Sequence, residues 1–297
     1  MNLTKDNYYS HEADVAYMSV SQFEAFEDCE LQAYSKYVLE KREEPSSDAL
    51  LIGNYMHTKF ESAEAHEAFC NKYRPQIYKG KNLESKRQAF INADCHYNAA
   101  QGNKLFVKSM EGTSEEIYTF CLFGCDWKIR VDNINHDKLY FTDLKYVKSI
   151  REKEWMTVFR DDYGMPLTKM RVFEYRRAGN DDMVLERNEK VMFWEKWDYW
   201  LRFALYRFGL EIKLGNIYRP FMAVLSKETP PDMEIFEFED EDRIAFEIRR
   251  IEEYIDRVMA IKRGEVEPEG CGVCELCRAQ RIENPKPRIL KASSIYS

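Results

Sequence analysis

Two alternating runs, WKIRVDNI and LYFTDLKYV, are separated by the turn-forming quartet NHDK and flanked on both sides by stretches with helical spacing. Such a pair predicts a β-hairpin, and a hairpin set among helices commits the chain to an α/β or α+β architecture. Side chains on a strand alternate, so Asp143 and Lys145 project on one face while Leu144 points into the core. If the hairpin register brings Asp132 alongside, two carboxylates and an ammonium converge on one point. Like charges this close repel unless a cation sits between them. A hard divalent ion such as Mg²⁺ accepts carboxylate oxygens and keeps waters that leave room for a phosphate. Lysine beside it can orient or deprotonate an attacking water, or offset charge developing on phosphorus. Taken alone, D-x-K on a strand is also an ordinary exposed ion pair.

The rest of the chain gives that hairpin a frame. Residues 19–40 begin with a candidate Ser cap and carry Phe23, Phe26, Ala33 and Tyr37 at helical spacing, which predicts one helix. A polar loop around Pro45 precedes a second helix from about Leu51, with Gly53, His57 and Glu61 four residues apart on one face. Residues 61–110 read as further helix, interrupted around Tyr73–Leu83 and near Gly102. Residues 116–130 read as a hairpin turning at Gly124, and 151–190 as loop and irregular helix. Residues 191–213 form an aromatic helix without proline, RPFMAVLSKE a strand, MEIFEFEDED an edge strand, and 241–263 an amphipathic helix. The expected division is one domain over 1–264, helical over 1–115, and a tail over 265–297.

With 297 residues, 44% hydrophobic and 14% aromatic, the chain can bury a large core. Its 44 basic against 52 acidic residues exclude a protein that coats nucleic acid by bulk charge, but not one with a local basic groove. No apolar run approaches the roughly 18 residues of a membrane span, and the N-terminus lacks the order of a secretory signal, so a cytoplasmic location without membrane association is expected. Three of the eight cysteines, Cys271, Cys274 and Cys277, fall within one short run. Thiols so spaced suggest Zn²⁺ or an iron–sulfur cluster short of a fourth ligand. Reduced thiols in a turn are the plainer alternative. Cys70, Cys95, Cys121 and Cys125 are expected to act as small buried residues.

Taken together, these features resemble the PD-(D/E)XK nuclease superfamily, in its RecB-like and RecE-like branch, and within it the phage exodeoxyribonuclease VIII-like proteins. YMSVSQFEAFEDCE is similar to the opening helix of that branch, LLIGNYMH to its G-x-x-x-H motif at Gly53 and His57, and DWKIRVDNIN…LYFTDLKYVKSI to its catalytic hairpin. YWLRFALYRFGLEI stands in place of the Q-x-x-x-Y helix, FMAVLSKETPPDMEIFEF resembles the following strand pair, and EPEGCGVCELCR the cysteine run. The matches follow family order over nearly the whole chain. Two departures stand out: Val131 replaces the motif proline, and Arg202 replaces the glutamine four residues before Tyr206. An arginine still holds a phosphate, and bidentately.

The resemblance implies a restriction-endonuclease-like fold, a mixed central sheet flanked by helices with a cysteine-rich tail packed on the N-terminal helix. It implies Mg²⁺ or Mn²⁺ held by His57, Asp132, Asp143 and Leu144, the last through its main chain, with Asp132, Asp143, Lys145 and Tyr206 as the catalytic set. Arg202 and Lys148 would contact DNA, in the company of Arg151, Lys153, Arg171, Arg176, Arg177 and Arg207. Cys29 would join the three tail cysteines around a [4Fe–4S] cluster, with Zn²⁺ ranked second and His11 or another cysteine as the alternative fourth ligand. The implied activity is DNA exonuclease action of the phage or bacterial recombination type, with a single-strand annealing protein as partner and a homo-oligomer as one assembly. The rival from another class is a DNA-binding or assembly module that keeps the nuclease fold without catalysis. An iron–sulfur redox protein ranks lower, since nothing marks an electron-transfer partner.

Overall fold

A computed structural model describes residues 1–40, 48–162 and 178–283, together with residues 164, 167, 172 and 175. Helices α1 (His11–Ala16), α2 (Val20–Asp28), α3 (Glu30–Tyr37), α4 (Asp48–Glu61), α5 (Ala63–Lys72) and α6 (Arg74–Ile77) open the chain. Two short strands, β1 (Tyr78–Lys79) and β2 (Ser85–Lys86), precede α7 (Gln88–Gln101) and α8 (Lys104–Ser109). Strands β3 (Thr113–Leu122), β4 (Cys125–Asn135) and β5 (Tyr140–Val147) form the expected double hairpin. The chain continues through β6 (Glu154–Arg160), β7 (Leu185–Val191), α9 (Phe193–Lys196) and α10 (Tyr199–Leu214). It ends with β8 (Arg219–Ser226), β9 (Met233–Glu237), α11 (Glu241–Lys262) and α12 (Glu275–Glu283).

The main sheet has the order β3-β4-β5-β8-β9, antiparallel except for the parallel pair β5–β8. Its two faces bury different cores, and β8 shows how: Met222 and Val224 join one cluster, Ala223 and Leu225 the other. Such alternation over a strand buried from Met222 to Ser226 is what a sheet covered on both sides requires. Trp127, Ile129, Val131 and Phe141 pack with α2, α10 and α11, while Leu144 packs with Tyr55, Met56, Phe90 and Phe106 from α4, α7 and α8. The result is the mixed sheet between helical layers that the sequence implies.

Three expectations change. Residues 19–40 are two helices, not one: Cys29 is extended (φ −166°, ψ 105°) and ends α2 before α3 begins. The aromatic helix of 191–213 is likewise broken, because Asp198 takes a left-handed conformation (φ 54°). Its carboxylate is held by Arg250, a buried guanidinium that also pairs with Glu27 and Glu247. Periodicity cannot reveal such a break, since it is set by a charge 52 residues away. Finally, the stretch expected as loop and irregular helix contains β6 and β7, which pair from Glu154↔Val191 to Arg160↔Leu185. The interior of β7 is polar and charged, ERNEK, so this strand lacks the apolar half of the strand pattern and only β6 carries apolar residues in its interior. Arg171, Arg176, Arg177 and most of the Pro45 loop lie outside the described residues, as does the tail from 284.

The seat of α10 depends on Gly209, where a Cβ would overlap the Phe120 ring of β3. Gly209→Ala is expected to lower stability by about 1–3 kcal/mol, the usual cost of overpacking, although alanine favours helix. Urea unfolding of the variant measures it.

Candidate active site

On β4, Lys128, Arg130 and Asp132 alternate with Trp127, Ile129 and Val131, which are fully buried. The two-residue period of a strand thus sends one set to the core and the other into a cleft. The ladder between β4 and β5 runs from Asn135↔Tyr140 to Asn133↔Thr142 and stops there. Beyond it the Leu144 N–H donates to Asp132 Oδ2 at 2.9 Å. A buried main-chain donor needs an acceptor, and the Asp132 side chain takes the place of a strand partner. The site opens where the two strands part.

On the other side of β4 the pairing passes from Ser114↔Asn133 to Glu116↔Val131, so Glu115 stands across from Asp132 at a skipped position. Glu115 has φ 61°, a conformation costly for glutamate and often found at functional sites. Its buried carboxylate pairs with Arg130 Nε at 2.7 Å. From α4, His57 Nδ1 reaches 3.3 Å from Asp132 Oδ2. Ligand atoms of His57, Glu115 and Asp132 all lie within 4.8 Å of one another. Burial, then the charge of Asp132, pushes Glu115 up to about 7. Burial holds the His57 imidazole below its ordinary value against the pull of Asp132, and the neutral ring is the form that binds a metal. One nitrogen and two crowded carboxylate oxygens fit a divalent cation, which would relieve the repulsion that raises Glu115.

Asp143 on β5 faces cations: Lys145 pairs with its Oδ2, and Arg202 Nη1 lies 3.7 Å from its Oδ1. Burial acts to raise Asp143, but Lys145 and then Arg202 outweigh it and hold the carboxyl below its usual range. Burial likewise acts to lower Lys145, and Asp143 outweighs that, so the lysine stays protonated. Lys145 Nζ also lies 3.3 Å from the Leu144 carbonyl. One turn on from Arg202, the Tyr206 hydroxyl donates to the Arg130 carbonyl at 3.2 Å, tying α10 to β4 beside Asp132. A cleft of about 700 Å³ has Asp132, Asp143, Arg202 and Tyr206 on its wall.

Other expected residues lie apart. Lys148 sits past the end of β5 and pairs with Glu152 at 2.8 Å. Arg151 pairs with Asp232 and Glu234, and Arg207 with Glu241. Glu61, by contrast, lines a small cavity with His57, Glu115 and Asp132 and pairs with Lys5 at 2.6 Å. Glu24, one of the groups that interacts with Arg202, is pushed up to about 7, chiefly by burial. Its folded-state value lies above its unfolded one, so the folded protein binds the extra proton and stability falls as pH rises between about 4.5 and 7. Glu24→Gln is expected to raise stability at pH 8 by up to about 3 kcal/mol and to leave it unchanged near pH 4. Denaturant midpoints at the two pH values check this.

Among the described residues, Cys29, Cys271, Cys274 and Cys277 also bring their sulfurs within 4.8 Å of one another. Cys29 Sγ is 3.7 Å from both Cys274 Sγ and Cys277 Sγ. Main-chain N–H groups of Cys271, Cys274 and Cys277 donate to Sγ of Cys29, Cys271 and Cys274 in turn. Burial raises Cys271, but the N–H groups of Val273 and Cys274 outweigh it and bring the thiol to about 7. The tail is further fixed to α3 by Leu31 N–H to Glu269 O and by Glu269 N–H to Glu30 Oε2 at 2.8 Å. Of the remaining cysteines only Cys125 is buried; Cys70 is half-buried, and Cys95 and Cys121 are exposed, contrary to expectation. Both exposed thiols lie on outward faces of amphipathic elements, which composition alone does not reveal.

A family described as "PDDEXK-like domain of unknown function" (DUF3799) matches residues 19–165 and 176–280. The chain belongs to this family. As a whole, this PDDEXK-like chain is also similar to the crystal structure of a "Putative exonuclease" from Eubacterium rectale, with a TM-score of 0.78 and 27% identity over 100% of this chain and 99% of that one. No curated protein matches the sequence. The fold is therefore that of the PD-(D/E)XK nucleases, with a four-cysteine group that joins Cys29 to the C-terminal end and, among the described residues, no helix long and apolar enough to cross a membrane.

Proposed function

We propose that this chain is a metal-dependent deoxyribonuclease acting as an exonuclease on DNA ends. The observation that carries it is the meeting of His57, Glu115 and Asp132 where β4 and β5 part, opposite the Lys145–Asp143–Arg202 group. His57, Glu115, Asp132 and the main chain of Leu144 would hold Mg²⁺ or Mn²⁺, with Asp143 as the further carboxylate. When bound, the ion supplies Lewis-acid stabilisation and an activated water. Lys145, kept protonated by Asp143, offsets charge developing on phosphorus. Arg202 presents its remaining N–H donors to a non-bridging phosphate oxygen, and Tyr206 fixes the helix that carries it. The description of the E. rectale protein supports action at an end. Digestion of one strand would expose the single strand that an annealing protein takes up in recombination.

Linear and closed-circular duplexes, incubated with Mg²⁺ or Mn²⁺, test this assignment. Release of nucleotides from the linear form alone is expected; cutting of the circle would overturn the exonuclease assignment. One observation favours a second reading, a catalytically silent DNA-binding module: Arg202 occupies Asp143 in place of the family's neutral glutamine. It predicts binding without cleavage.

The four-cysteine group we assign to a single tetrahedral ion, zinc, in place of the [4Fe–4S] cluster ranked first from the sequence. A Zn–S bond of about 2.3 Å places sulfurs about 3.8 Å apart, close to the 3.7 Å seen here. A cubane sets its own iron and sulfide between the thiolates and spreads them wider. Metal analysis of the purified protein is expected to give about one zinc per chain and no iron.

A further inference from the structure

Tyr9 stands at the mouth of the cleft, 59% exposed. The Arg130 guanidinium lies 4.9 Å from its ring centroid and 5.6 Å from that of Tyr8, and the two rings meet edge to face. Tyr8 is buried and anchored: its carbonyl accepts from Lys128 Nζ at 2.6 Å, and its hydroxyl donates to the Lys128 carbonyl at 3.4 Å. Lys128 in turn pairs with Asp14 at 2.8 Å. The N-terminal segment is thereby pinned to β4, and Tyr9 is held over Arg130.

A guanidinium carries five N–H donors. Glu115 pairs with Arg130 on the Nε side of the guanidinium at 2.7 Å, and the Nη groups are the donors for a second acceptor. Arg130 and Asp132 are alternate residues of one strand, about 7 Å apart along it and on the same face. That separation is comparable to one nucleotide step of an extended strand.

We infer that Arg130 and Tyr9 form a nucleotide subsite next to the reacting phosphate, in which Arg130 holds the neighbouring phosphate and the Tyr9 ring stacks on its base. The subsite rests on the nuclease assignment above and deepens it by naming the form of the substrate. A base within a duplex has both faces covered by its neighbours, so a base stacked on Tyr9 belongs to an unpaired strand. The ring gives affinity without sequence preference, because every base has a π-face.

The test uses the full chain, without divalent metal, and a short single-stranded oligonucleotide carrying 2-aminopurine near its end. The wild-type protein is expected to quench the reporter, and Tyr9→Ala to bind roughly tenfold more weakly and lose the quench. Tyr9→Phe, which keeps the ring, should match wild type and shows that position 9 tolerates substitution. Equal quenching and affinity in Tyr9→Ala and wild type would overturn the subsite alone. No binding by wild type would overturn the subsite as well, and metal-dependent cleavage of linear duplex DNA then decides separately whether the nuclease assignment stands.

Discussion

Asp132→Asn is expected to reduce DNA cleavage by about a thousandfold or more, the scale on which loss of an electrostatic group at a reacting centre is felt. Asp132 does two jobs. Its charge completes the His57–Glu115–Asp132 group, and its Oδ2 accepts from the Leu144 N–H at the point where β4 and β5 separate. Asparagine keeps an acceptor and loses the charge, so Tm should stay close to that of wild type while Mn²⁺ affinity measured by calorimetry collapses. Asp132→Ala removes both. Leaving the Leu144 N–H without its acceptor should cost a further 1–3 kcal/mol or so, and the alanine variant should unfold earlier than the asparagine variant. If the two variants lose activity and stability in parallel, the carboxylate is a structural group and not a metal ligand.

Cys29→Ser should release the metal of the four-cysteine group and lower Tm by roughly 10 °C. The reason is topological. Cys29 lies between α2 and α3, and its partners lie 242 to 248 residues away in the tail. Metal ligation there would close nearly the whole chain into one loop, and long closures restrict the unfolded chain most. The same bond would hold α12 against α3. Chelation of the metal from wild-type protein should reproduce the shift, with little further effect on the variant. A Tm unchanged in both would mean that the thiols hold no metal that matters to the fold. Activity of the folded variant should persist at low temperature, because the cysteines do not line the cleft.

The β4–β5 hairpin was legible because its signals are local: alternation, a short turn, and the D-x-K pattern of Asp143 and Lys145. The tail cysteines were legible from their spacing, whereas His57 as a ligand and Cys29 as their fourth partner were legible only through an ordered set of motifs. Glu115 was missed, although a trace of it was present. Counting outward from the turn at Phe123–Gly124 sets residue 115 across from residue 132, the register that the strands adopt. In the sequence it is one of two consecutive glutamates, and only its left-handed backbone and its burial set it apart from Glu116. The break at Asp198 and the β6–β7 ribbon were illegible for a different reason. Both follow from tertiary partners, Arg250 in one case and a distant strand in the other, and not from local period.

End-labelled linear duplex DNA, incubated with wild-type protein or Asp143→Ala in the presence of Mg²⁺, Mn²⁺ or chelator, tests the nuclease claim most directly. Loss of label that requires the metal and disappears in the variant is the expected result, and the strand that loses label first gives the polarity. Intact DNA under every metal and end structure, or cleavage that survives in Asp143→Ala, would contradict the assignment of this site.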